Sequence, residues 1–127
     1  MITEDYVSFE LAKLLKEKGF DGECWDAYTG NNWTYEPPFK NSEFNLDAEK
    51  SFFTIPTIQM AMKWLREVHS LYIDIVTSFS QDGICYTFSC SNTMDLIQGT
   101  KGTSYHEYQT YEEACEEAIK YCLENLI

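Results

Sequence analysis

The chain has 127 residues, 44% apolar and 16% aromatic, and its 9 Lys and Arg against 21 Asp and Glu give a formal net charge of −12. So many rings exclude an unfolded acidic tail, and the length suits one domain, 1–127, that hides roughly two-thirds of its unfolded surface. So few bases exclude direct nucleic-acid binding and membrane-surface binding, both of which draw on Lys and Arg.

Met1 to Tyr6 carries acids where a secretory signal needs bases, and the unbroken apolar runs are too short to span a bilayer. A cytoplasmic setting is expected, with the five cysteines as reduced thiols. Residues 8 to 18 place Leu11, Leu14 and Leu15, with Val7 upstream, at helical spacing; Ser8, Thr3 or Asp5 can cap this first helix and Gly19 stops it. From Glu23 to Tyr35, two aromatic runs flank Thr29-Gly30-Asn31-Asn32, a pattern that predicts a short hairpin. Pro37 and Pro38 end it, and residues 36–53 form a long aromatic-rich loop.

A second helix opens at Thr54-Ile55-Pro56-Thr57, with Pro56 in its first turn. Its stripe is Ile58, Ala61, Met62, Leu65 and either Val68 or His69, with Trp64 at the border. Leu71, Ile73 and Ile75 alternate with polar residues, and Ile84, Tyr86 and Phe88 repeat the alternation beyond Ser80-Gln81-Asp82-Gly83. This is the clearest hairpin. A third strand is expected over Met94 to Gln98, followed by the loop Gly99 to Gly102, while Ser104 to Tyr108 fits strand or loop equally. Thr110-Tyr111-Glu112-Glu113 is a capping-box pattern that starts a last helix with Tyr111, Cys115, Ala118, Ile119, Cys122 and Leu126 inward.

The expected class is α+β: an antiparallel sheet of hairpins with about three helices on one face, in the order α-ββ-α-ββ(β)-α. The helices Ile55 to His69 and Thr110 to Ile127, together with Ala12 to Phe20, resemble segments of small uncharacterised proteins of gut bacteria and their phages. That resemblance implies no activity, ligand or catalytic residue.

The chemistry is sparse. The cysteines include no Cys-x-x-Cys pair, and Cys85 and Cys90 are an odd number apart, so a regular strand points them to opposite faces. Buried structural thiols are expected, with no metal. His69 and His106 have no spacing that ties them to a thiol, so no catalytic residue and no cofactor is assigned. Two binding surfaces stand out. One is the acidic start of the last helix, Glu112, Glu113, Glu116 and Glu117, which suits a basic protein partner. The other is the aromatic run from Trp25 to Phe53, with Trp25, Tyr28, Trp33, Tyr35, Phe39 and Phe44 as the candidate patch beside Phe52 and Phe53, which either plugs the long loop onto the sheet or forms a binding or homodimer surface. A non-catalytic protein-binding or regulatory module is therefore expected. The alternatives are a structural homodimer and a small-ligand or enzymatic pocket framed by the aromatic loop with His69 or His106. Net charge runs −6 over 1–53 (5 bases, 11 acids), −1 over 54–93 (2 and 3) and −5 over 94–127 (2 and 7), which leaves the central segment electrostatically quiet.

Overall fold

A computed structural model describes residues 3–28, 37–44, 52–99, 102–103 and 106–127. The class is α+β, and the contacts divide into two units, Met1–Ala61 and Met62–Ile127.

In the first unit, helix α1 is Phe9–Glu17. The Ser8 side chain accepts from the Leu11 N–H at 3.2 Å, and Gly19 at φ 97° takes the left-handed conformation that ends the helix. Leu11, Ala12 and Leu15 are its buried face, with Val7 buried just upstream. Strand β1, Ala27–Tyr28, pairs antiparallel with β2, Phe53–Thr54. The observed partner of the first aromatic run comes from the end of the expected loop, and the run that includes Trp33 and Tyr35, and with it the expected hairpin, lies outside the described residues. The loop itself holds a 3₁₀ turn at Asn41–Phe44. Asn41 is buried, and its amide donates to the Phe20 carbonyl at 2.7 Å while its oxygen accepts from the Thr54 N–H at 2.9 Å. One side chain thus joins the end of the first helix segment to β2.

Helix α2, Ile58–His69, starts later than expected. Thr54 belongs to β2, and Pro56 stands ahead of the helix, its carbonyl accepting from Val7 at 3.1 Å. The cap is Thr57, whose hydroxyl accepts from the Met60 N–H at 3.2 Å. Ile58, Ala61, Met62 and Leu65 are buried; Val68 is exposed, and His69, half-buried, completes the stripe instead. Ser70 at φ 53° then turns the chain into the next strand with one residue.

The second unit is built on the long hairpin of β3, Leu71–Ser80, and β4, Gly83–Asn92, joined by Gln81-Asp82 and paired without interruption from Leu71↔Asn92 to Ser80↔Gly83. Gly83 at φ 107° supplies the left-handed conformation that the tight turn needs. The expected third strand is a helix, α3, Thr93–Gln98. Asn92 accepts from the Asp95 N–H at 2.7 Å while the Asp95 carboxylate accepts from the Asn92 N–H at 3.1 Å, a reciprocal cap that outcompetes strand pairing. The third strand of the sheet is instead β5, Gly102–Thr103, beside β4, and Tyr108 adds a single bridge to Tyr86. Helix α4, Tyr111–Asn125, packs across β3 and β4. Ala114, Cys115, Ala118, Ile119, Cys122 and Leu123 are its buried face. Leu126, expected inward, falls beyond the last turn and is exposed.

Candidate protein-binding surface

The aromatic surface of the first unit is assembled by the pairing of β1 with β2. Tyr28 and Phe53 are cross-strand partners, so their side chains share a face, and the rings stack 5.3 Å apart with planes 21° from parallel. The first residue of α1 adds Phe9, 5.7 Å from Tyr28 and edge-on to Phe53 at 6.4 Å. Phe53 is buried and forms the floor; Phe9 is 59% and Tyr28 44% exposed, so two ring faces remain in water. Three residues before Tyr28, Trp25 is 73% exposed. Tyr6, also exposed, bonds its hydroxyl to the Asp26 carboxylate, and that bond and the nearby charge push its pKa up.

Of the six aromatic residues singled out by sequence, Trp25 and Tyr28 are exposed as a binding surface requires. Phe39 is corrected: it is 2% exposed and belongs to the core. Its N–H donates to Cys24 at 2.6 Å and its carbonyl accepts from Cys24 at 2.9 Å, a reciprocal bridge that draws the chain inward after the two prolines. Phe44 ends the 3₁₀ turn, and Trp33 and Tyr35 lie outside the described residues. Sequence reasoning missed Phe9. Phe9 carried a usable signal, since a phenylalanine at the start of α1 sits apart from the stripe of Leu11 and Leu15.

The acidic set is on α4, with Glu112, Glu113 and Glu117 exposed and Glu116 half-buried. Thr110 caps the helix by accepting from the Glu113 N–H at 3.1 Å. The Tyr108 pKa is pushed up by burial and then by the negative charge of Glu117 and Glu113, so the acids act on this ring together.

The thiols are interior. All five cysteines are buried and unbridged. Burial pushes Cys24 and Cys115 up to about 11, which keeps both protonated near neutrality and poor as nucleophiles. Cys90 of β4 and Cys122 of α4 meet with sulfurs 3.6 Å apart; their mutual bond and burial push Cys90 up. Cys85 pairs across from Ser78 and Cys90 from Ile73, which puts the two on opposite faces of β4.

His69 packs edge-on against Trp64 at 4.7 Å, and the His106 ring lies 6.5 Å from Tyr108. Each imidazole is therefore in aromatic company. Among the described residues, no three of His, Cys, Asp and Glu converge to hold a metal ion, and no helix is long and apolar enough to cross a membrane. No family model matches the chain, and neither curated proteins nor solved structures give a match to it.

Proposed function

We propose that this chain is a non-catalytic protein-binding module acting in the cytoplasm, and that it binds through the ring cluster of Phe9 and Tyr28 with Trp25. The observation that carries this reading is the pair of solvent-facing rings fixed over the buried Phe53. Tyr and Trp concentrate binding energy at protein interfaces because they desolvate a large apolar area with little rotamer freedom to lose. A rigid floor reduces that loss further. Five unbridged thiols agree with a reducing compartment.

A second reading rests on the outward Glu112, Glu113 and Glu117, which suit a basic partner surface. The two differ in what breaks them. Replacement of both exposed rings, Phe9→Ser with Tyr28→Ser, is expected to abolish recovery of a specific partner in affinity capture from the native host. A folded double variant that recovers the same partner in the same amount overturns the aromatic reading.

A further inference from the structure

The second unit brings two thiols into contact across its interior. Cys90 lies on β4, the central strand of the β3-β4-β5 sheet, with Ile73 beside it on β3 and Gly102 on β5. Cys122 lies in the last turn of α4. Their sulfurs are 3.6 Å apart although 32 residues separate them in sequence, and both residues are buried, at 2% and 0% exposure. Local chemistry builds this contact. Ala118 and Cys122 are four residues apart and so share one face of the helix, where Cys122 leans back toward Ala118. Ala118 has no side chain beyond Cβ, and the Cys90 sulfur comes within 3.9 Å of its carbonyl. The strand approaches the helix closely at that point, and Cys122 is the next side chain along the same face.

The two thiols fill space as a pair of small apolar residues would, but apolar residues have no reaction open to them. A disulfide holds its sulfurs about 2.0 Å apart, so bonding calls for a short approach between elements that are already packed together. The pair is also unequal. The Cys90 S–H donates to an ionised Cys122 sulfur, and this bond holds the Cys122 pKa below the ordinary thiol value against the opposing effect of burial. Cys122 is thus the readier thiolate, which is the reactive form. Access follows the same order, because helix ends fray, whereas Cys90 is held by a strand on either side.

We propose that Cys90 and Cys122 form a reversible redox site, which hydrogen peroxide oxidises to a disulfide that ties β4 to α4. The Cys122 sulfur attacks one peroxide oxygen, the O–O bond breaks, and Cys122 becomes a sulfenic acid as the first water leaves with the thiol proton. The Cys90 sulfur then attacks the Cys122 sulfur. An S–S bond forms, the S–O bond breaks, and the Cys90 proton departs with the hydroxyl as a second water. Two electrons pass from the two thiols to one peroxide, and a small thiol reverses the bond by exchange. In a reducing compartment the dithiol is the resting form.

Peroxide treatment of the reduced full chain, quenched with catalase and followed by alkylation in denaturant and peptide mapping, tests this. Of the five cysteines, Cys24, Cys85 and Cys115 are expected to remain alkylatable, while Cys90 and Cys122 appear in one linked peptide and the chain is lighter by two hydrogens. Dithiothreitol should restore alkylation at all five. Cys90→Ser should stop the reaction at a Cys122 sulfenic acid trapped by dimedone, and Cys122→Ser should leave Cys90 unlabelled. The wild-type map is decisive by itself, so a variant that fails to fold does not shield the proposal. If Cys90 and Cys122 stay alkylatable after an exposure that fully oxidises free glutathione, the proposal is overturned. Linkage through Cys24, Cys85 or Cys115 in equal yield overturns it as well, and so does dimedone on Cys90 in Cys122→Ser.

Discussion

Asn41 ties separate segments of the first unit together from within its core. It is 4% exposed, and its amide satisfies two backbone groups from segments 21 and 13 residues away. Removing it takes a hydrogen-bond partner from a buried carbonyl and from a buried N–H, at about 1–3 kcal/mol for each group. Asn41→Ala is therefore expected to lower unfolding free energy by about 2–4 kcal/mol in urea titration, and a loss under about 0.5 kcal/mol would contradict the assigned role. The thiols set the alkaline limit. Cys24 and Cys115 hold their protons in the folded chain to about 11, against an ordinary value of 9.0. The unfolded chain releases those protons first, so their contribution is complete below pH 9 and is lost as pH rises through about 11. Urea midpoints measured from pH 8 to 11 should fall over the upper part of that range, and Cys24→Ala with Cys115→Ala should flatten the fall. The burial of the cysteines was legible from composition and compartment. The role of Asn41 was not, because nothing local distinguishes a clamp from a turn asparagine when both of its partners are distant in sequence.

Elements defined by local chemistry were readable with the exception of α3, and those defined by distant pairing were not. The hairpin of β3 and β4 combines strict alternation with a two-residue turn, and both signals lie within the segment itself. Helices α1 and α4 carry their caps at Ser8 and Thr110, one residue before each begins. Thr110→Ala removes the acceptor for the Glu113 N–H, and should cost about 1 kcal/mol in urea titration, with fraying seen as faster hydrogen exchange at Glu112 and Glu113. Unchanged exchange there would mean the cap is redundant. The helix α3 was missed because Asn92 and Asp95, whose spacing is itself a capping signal, were not read as a cap. The pairing of β1 with β2 joins residues on either side of a long insertion, so hydrophobic periodicity could not reveal it. That pairing is also what stacks Tyr28 on Phe53, which is why the candidate surface was only partly legible: Trp25 and Tyr28 were identified, Phe39 was misassigned, and Phe9 was overlooked.

For the whole molecule, the net charge of −12 is a background against which apolar contact must be made. The acids concentrate in 1–53 and 94–127, whereas β3 and β4 fall in the quiet segment between. Salt therefore separates the possible modes of binding by sign. Docking of a basic partner onto Glu112, Glu113 and Glu117 weakens with salt; ring-mediated contact at Phe9 and Tyr28 does not. The most direct test is affinity capture from the native host at low and high salt, with wild type beside the Phe9→Ser, Tyr28→Ser variant. The account predicts a partner recovered equally at both salt concentrations by wild type and lost from the variant. Recovery that disappears at high salt and persists in the variant would contradict it.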